Sequence, residues 1–203
     1  MQKKEAEKQA NLEIETHPFE PWLPKNARLL MLGTFPPAPK RWCMEWYYPN
    51  FQNDMWRIFG LAFFDDKAHF VDEANKTFKL DELKAFLTVK GVGLYDTATA
   101  VNRTTGTAAD KDLEVIEPTN LDALLLKVPD CTNVVVTGQL AADVLRAHFN
   151  IAQQPKVGTY VPFIFQPDGR QMRLYRMPSS SRAYPLKVEK KAQFYRAMFD
   201  ETL

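Results

Sequence analysis

The sequence predicts an α/β protein, a three-layer α/β/α sandwich around a central, mostly parallel four-stranded sheet. Short apolar runs at 29–32, 92–96 and 133–136 end abruptly at glycine or polar residues, a pattern typical of buried parallel strands. Segments with helical spacing alternate with these runs, and such alternation favours a parallel sheet covered by helices. Loops that follow neighbouring parallel strands are therefore expected to converge on one ligand pocket.

The remaining elements follow from spacing and from turn residues along the chain. An extended, proline-rich lead-in at 17–24 precedes the first strand, and Pro167-Asp168-Gly169 between two apolar runs indicates a hairpin. Asn53 or Asp54 is expected to cap the second of the predicted helices, which cover residues 4–12, 54–64, 80–89, 121–128, 140–148 and 186–199. The segments 65–79 and 97–112 are expected to be an irregular excursion and a polar loop.

The composition is that of a single soluble domain over residues 1–203, with residues 1–24 as an N-terminal extension. Apolar residues make up 45% and charged residues 25% of the 203, which is ordinary for a globular protein. The first residues are too charged for a secretory signal, and no apolar run approaches the roughly 20 residues of a membrane helix. We therefore expect a cytoplasmic monomer without a membrane partner.

The charges are distributed unevenly, although the net charge is only +1. From Arg170 to the end there are eight Lys/Arg against three Asp/Glu, whereas residues 110–130 hold six acidic residues against two basic ones. A basic face of this kind suits docking on a polyanion. The alternative is that four cations form the solvated face of the last helix: Lys187, Lys190, Lys191 and Arg196. Two cysteines cannot form an iron–sulfur or four-cysteine zinc site, so no metal and no cofactor are expected.

The loop after the first strand holds the densest set of chemically specialised side chains. Between residues 33 and 56 it combines aromatic rings, the cations Lys40 and Arg41, and several amides. Flat rings, cations and amides together suit the binding of a nucleobase and its phosphates. The alternative is that the rings belong to the core and the amides cap the following helix.

Four segments in order resemble motifs of the uracil-DNA glycosylase superfamily. They are GTFPP at 33–37, YYPNFQNDMW at 47–56, GLYDTATAVNR at 93–103 and MPSSSRAYP at 177–185. The second is similar to a segment of the hypoxanthine (deoxyinosine) and mismatch-specific branches, which the chain resembles most. The resemblance implies a uracil-DNA glycosylase-like fold and a monofunctional glycosylase of base excision repair. Such an enzyme hydrolyses the N-glycosidic bond of uracil or hypoxanthine flipped out of double-stranded or single-stranded DNA.

The resemblance also implies roles for particular residues. Asn53 matches a catalytic asparagine of the hypoxanthine branch, and Asp96 is an alternative group for positioning water, or a strand-end residue that only bonds loop amides. The residues expected to bind the base are Gly33, Thr34, Phe35, Pro36, Tyr47 and Tyr48. The residues expected to bind DNA are Pro178, Ser179, Ser180, Ser181, Arg182 and Tyr184. The alternative is that this second set forms a serine-rich turn that caps the last helix.

Two departures from the family pattern keep other functions open. Phe35 stands where several families have a water-activating Asp or Asn, and Met177 stands where uracil-specific enzymes have a histidine. These differences imply a slower or different glycosylase, or a catalytically weak or inactive nucleic-acid-binding relative. A small-molecule hydrolase that uses Cys43 is a third reading, but none of the three histidines has a spacing that indicates its base.

Overall fold

The computed structural model describes residues 14–103 and 112–203. Its strands, in chain order, are β1 Ile14–Thr16, β2 Leu29–Gly33, β3 Val71–Asp72, β4 Thr77–Phe78, β5 Val92–Asp96, β6 Ala98–Arg103, β7 Leu113–Pro118, β8 Asn133–Val136, β9 Thr159–Phe165 and β10 Arg170–Arg176. Its helices are α1 Met55–Phe64, α2 Leu80–Lys90, α3 Leu121–Leu126, α4 Gln139–His148 and α5 Val188–Thr202. The predicted helix at 4–12 lies outside the described residues.

The central sheet has the strand order β5-β2-β8-β10-β9. Strands β5, β2, β8 and β10 are parallel, and β9 is a fifth, antiparallel edge strand that completes the predicted hairpin with β10. The α/β fold with a mostly parallel sheet is thus confirmed, with one strand more than the four expected. Strand β2 lies in the middle of the apolar core, and residues 29–32 are at most 1% exposed.

The helices pack through aromatic and aliphatic side chains. Phe59 and Phe63 of α1 have ring centroids 5.0 and 4.8 Å from that of Phe199 of α5, so these two helices pack through apolar side chains. Helix α2 ends at Gly91, whose φ of 69° is in the left-handed region that glycine adopts easily. Among the described residues, no helix is long and apolar enough to cross a membrane.

The predicted polar loop at 97–112 is wrong for residues 98–103, which form strand β6. Strands β1, β6 and β7 form a separate antiparallel sheet, in which Ile14 pairs with Asn102 and Arg103 pairs with Leu113. The partner strand β1 lies more than 80 residues away in the chain, so a local pattern does not reveal this pairing. Similarly, the excursion at 65–79 contains the small β3–β4 hairpin. Residues 104–111 are outside the described part.

The lead-in before β2 is bound to the sheet by backbone hydrogen bonds. Trp22 and Leu94 exchange two such bonds, at 3.0 and 2.8 Å, and the His17 N–H donates to the Thr99 carbonyl at 2.8 Å. The bond between His17 and Thr99 holds His17 beside the carboxyl end of β5. The lead-in therefore contributes a side chain to the edge of the sheet where a ligand pocket is expected.

Candidate active site

A cavity of about 430 Å³ lies at the carboxyl ends of the parallel strands. The loops that follow β2, β8 and β10 contribute to its lining, together with Asp96 at the end of β5. Twelve of the residues expected from the sequence line it: Gly33, Thr34, Phe35, Pro36, Tyr47, Tyr48, Asn53, Asp96, Ser179, Ser180, Ser181 and Arg182. Pro178 and Tyr184 belong to the same loop as Ser179 but do not line the cavity. The fold thus brings distant segments of the chain together in one site.

Asp96 lies at the floor of this cavity as the last residue of β5, opposite Gly33 of β2. The residue is 7% exposed, and its Oδ2 lies 2.9 Å from Nε2 of His17. A Cβ atom at Gly33 would lie only 2.3 Å from Asp96 Oδ1, so the glycine leaves the room that the carboxylate occupies. Of the carboxylates in the described residues, Asp96 alone lines the cavity.

His17 is a residue of this site that the sequence did not reveal. Its side chain is 3% exposed and lies among aromatic rings, with centroids 5.4 Å from Phe35 and 4.7 Å from Tyr95. The contact with Asp96 joins residues 79 positions apart. No local motif marks such a pair, because only the folding of the lead-in onto β5 creates it.

Asn53 lies at both places that the sequence indicated, the start of α1 and the cavity. It precedes Asp54, the N-cap residue, and its Oδ1 accepts the N–H of Met55, the first residue of α1, at 2.9 Å, while the residue also lines the cavity. Buried Arg57 holds the preceding backbone, because its guanidinium donates to the Phe51 and Asn53 carbonyls at 2.8 and 3.1 Å. With Oδ1 engaged, the Asn53 amide offers the cavity mainly its Nδ2 hydrogens.

Two tyrosines and one phenylalanine form the aromatic side of the cavity. The Tyr47 hydroxyl donates to the Glu20 carbonyl at 2.7 Å, and Tyr48 hydrogen-bonds the side chain of Thr137. Burial raises the pKa of both phenols, so both stay neutral at physiological pH. Tyr48 has a φ of 50°, a left-handed conformation that costs on the order of 1–3 kcal/mol for a residue other than glycine.

Two further side chains fix the loop that follows β2. Arg103 pairs with Glu15 at 2.8 Å and donates to the Pro36 carbonyl at 3.0 Å. The Trp42 indole donates to the Pro37 carbonyl at 2.6 Å. The Arg103 bonds tie the loop to the β1–β6 sheet and the Trp42 bond braces it internally, so Phe35 is held on a rigid base.

The start of a helix lies at the cavity on each of two sides. Thr137 and Gly138, which precede α4, line it, as does Asn53 at the start of α1. Helix N-termini carry partial positive charge and exposed N–H groups, and they stabilise anions. An anion that forms in this cavity therefore meets a favourable field.

The loop that follows β10, residues 177–187 and here called the second loop or serine loop, is fixed to the start of α1 by a buried ion pair. Asp54 Oδ2 lies 3.0 Å from Lys191 Nζ, and the same ammonium donates to the Ser181 carbonyl at 2.8 Å. The Asp54 N–H donates to the Ser180 carbonyl at 2.9 Å, and Arg182 Nε lies 3.2 Å from Asp54 Oδ1. One carboxylate thereby holds the serine loop beside the Asn53 segment.

The prediction that four C-terminal cations form a solvated helix face is wrong for Lys191. This side chain is 0% exposed, whereas Lys187 and Lys190 are exposed as expected. Arg196 donates to Asp65 and to the Leu61 carbonyl. The charged neighbours of Lys191 in the sequence indicated an exposed side chain. The local sequence does not reveal its buried partner Asp54, which is 137 positions away.

The hydroxyls of the second loop shape its backbone. Ser179 Oγ accepts the Ser181 N–H at 3.2 Å, and Ser181 Oγ accepts the Ala183 N–H at 3.2 Å. Pro178 is buried, and its carbonyl accepts the Tyr195 hydroxyl at 2.9 Å. Arg182 remains half exposed at the cavity rim, where Arg41 also lies.

Cys43 has none of the features of a nucleophile. It does not line the cavity, and its thiol donates to the Pro49 carbonyl at 2.9 Å. Burial raises the pKa of this thiol, so the reactive thiolate is disfavoured. In the described residues no group of three or more His, Cys, Asp or Glu side chains is arranged to hold a metal ion.

The comparisons with known proteins identify a fold relative. No protein-family model and no curated protein matches the chain. The solution NMR structure of a protein from Methanosarcina acetivorans, described as a "putative Uracil DNA glycosylase", matches with a TM-score of 0.62. The two chains are 20% identical, and the match covers 93% of this chain and 98% of that one. The protein therefore has a uracil-DNA glycosylase-like fold.

Proposed function

We propose that this protein is a DNA N-glycosylase that hydrolyses the bond between a deaminated base and its deoxyribose. The observation that carries the proposal is the buried Asp96 carboxylate at the floor of an aromatic-walled cavity with two helix N-termini at its sides. A volume of about 430 Å³ lies within the range of about 300–1,000 Å³ usual for small-ligand pockets. The likeness in fold to the archaeal protein supports the same function.

In the proposed reaction, Asp96 positions and deprotonates the attacking water. The water oxygen forms a bond to C1′ while the electron pair of the N-glycosidic bond leaves with the base. The departing base carries developing negative charge, which the N-termini of α1 and α4 stabilise. Asp96 thus supplies the carboxylate that Phe35 does not supply in the loop after β2.

The base is recognised by the neighbouring loop. Phe35 and Tyr47 stack on it, and the Asn53 Nδ2 hydrogens donate to a base carbonyl oxygen. Deaminated bases such as uracil and hypoxanthine carry a carbonyl where the parent base carries an amino group, so a donor at this position favours them. No lysine lines the cavity among the described residues, which favours a monofunctional hydrolase over a Schiff-base mechanism.

The loop after β10 is proposed to hold the DNA from which the base is extruded. Ser179, Ser180 and Ser181 offer hydroxyl groups to phosphates, and half-exposed Arg182 offers a cation. Tyr184, together with Arg182, is proposed to fill the gap that the flipped base leaves. The buried Asp54–Lys191 pair keeps this loop at a fixed distance from Asn53.

The proposal is tested with a panel of duplexes that carry uracil, hypoxanthine, xanthine or mismatched thymine. We expect abasic sites to form with at least one of the first two bases and without strand cleavage. Duplex binding without any abasic product would instead indicate the inactive nucleic-acid-binding relative. Strand cleavage with each excision would contradict the monofunctional mechanism.

A further inference from the structure

We infer that His17 is a positioning residue for Asp96, which it holds in the orientation needed to activate water. The inference rests on the proposed function and adds a residue to its chemistry. Among the described residues the cavity holds one carboxylate, and His17 Nε2 lies 2.9 Å from its Oδ2. Because Oδ2 is engaged by the imidazole, Oδ1, which faces Gly33, is the oxygen left for water.

The surroundings of the imidazole determine where its proton resides. The Phe19 N–H lies 3.1 Å from Nδ1, and the Phe19 carbonyl oxygen lies 2.8 Å from the same nitrogen. The ionised Asp96 carboxylate can only accept a hydrogen bond, so the proton of the neutral ring is on Nε2 and points at Asp96, while Nδ1 accepts the Phe19 N–H. In the protonated ring Nδ1 donates to the carbonyl, and Nε2 still donates to Asp96. Both states therefore hold the carboxylate in the same way.

The ring itself has little freedom to turn away. Its side chain is 3% exposed and contacts four aromatic rings, those of Phe19, Phe35, Tyr47 and Tyr95. Because Phe35 and Tyr47 also line the cavity, His17 links the stacking wall to the carboxylate. A base bound against this wall is thus kept in register with the group that activates water.

The test compares single-turnover excision rates on uracil and hypoxanthine duplexes. We expect His17→Ala to slow excision by about 10²-fold, the scale of a small misplacement of a catalytic group. Duplex affinity should stay unchanged, because His17 is buried behind the cavity wall. His17→Gln keeps an N–H donor at a similar reach and should restore about tenfold of the loss. His148→Ala is the matched control, since its ring pairs with Asp122 at 3.2 Å outside the cavity.

A double-mutant cycle separates positioning from a general structural effect. In the Asp96→Asn background, His17→Ala should cause no further loss of rate, because the carboxylate on which it acts is absent. Equal losses in both backgrounds, or a His17→Ala rate within a few-fold of wild type, would overturn the inference and leave the proposed function standing. A wild-type rate for Asp96→Asn would overturn the inference together with the assigned role of Asp96 and leave the glycosylase activity standing, whereas no excision by the wild type would overturn both the inference and the proposed function. Thermal unfolding of each variant checks that it is folded.

Discussion

At the scale of single residues, Asn53 shows how one amide can serve both helix and site. Its oxygen accepts the N–H of Met55, the first residue of α1, and the residue also lines the cavity. Loss of such a hydrogen bond costs about 1 kcal/mol, so a simple truncation mixes a stability effect with a functional one. A substitution that keeps the oxygen separates the two.

The prediction for Asn53 uses two variants. Asn53→Asp keeps the acceptor of the Met55 N–H and removes the Nδ2 donor, so stability should be retained while the excision rate falls by about 10²-fold. Asn53→Ala should lose both the rate and about 1 kcal/mol of unfolding free energy. Single-turnover rates and denaturant unfolding measure the two effects. If Asn53→Asp excises bases at the wild-type rate, the amide serves only the start of α1.

At the scale of elements, the strands of the central sheet were predictable because buried parallel strands appear in the sequence as short apolar runs. The runs at 29–32, 92–96 and 133–136 became β2, β5 and β8 with little change of bounds. Parallel pairing then placed their loops together without further information. The β1–β6–β7 sheet was missed because β1 pairs with β6 across more than 80 residues of chain, and because β1 and β7 are largely exposed and lack an apolar run.

The candidate site was predictable to the extent that it follows strand ends. Asp96 and Gly33 were found in this way, since each ends a strand of the sheet. His17 and Lys191 were missed, because each is defined by a partner far away in the chain. A lone histidine in a lead-in and a lysine in a charged helix resemble ordinary surface residues until the fold brings Asp96 and Asp54 to them.

The element-scale prediction concerns the ion pair that joins α1, α5 and the serine loop. Lys191→Met leaves the buried Asp54 carboxylate with only the half-exposed Arg182 as a cationic partner, so the free energy of unfolding should fall, by up to about 3–5 kcal/mol. Adding Asp54→Asn should recover part of this loss, because the buried charge is then removed. Denaturant unfolding measures both changes.

Lys190→Met provides the matched control, since this neighbouring side chain is exposed. Its effect should stay within about 0.5 kcal/mol. A Lys191→Met variant as stable as the Lys190→Met variant would show that the pair contributes nothing to the position of the loop.

At the scale of the whole molecule, the net charge is only +1, but basic and acidic residues are concentrated in different segments of the chain. Arg41 and Arg182 lie at the rim of the cavity, whereas the segment 112–130 is predominantly acidic. A duplex docked over the cavity would therefore meet cations at the rim. Phosphate contacts of this kind release counterions, so affinity depends on salt.

Duplex affinity is accordingly expected to fall steeply between low and physiological salt. Arg41→Ala and Arg182→Ala should each reduce the slope of log K against log salt by about one, as each removes one phosphate contact. Lys127→Ala, an exposed cation at the end of α3, should leave the slope unchanged. Binding titrations at several salt concentrations supply the slopes. If all three variants kept the wild-type slope, the DNA would have to bind on another face of the protein.

The central claim is that Asp96 activates water for base excision, and one comparison tests it most directly. Wild type and Asp96→Asn are assayed for single-turnover abasic-site formation on the uracil and hypoxanthine duplexes, with duplex affinity measured in parallel. The substitution keeps the size and polarity of the side chain but removes the carboxylate that acts as the general base. We expect the rate to fall by about 10²–10⁴-fold, the usual contribution of a general base, while affinity is unchanged. An Asp96→Asn rate within a few-fold of wild type would contradict the claim.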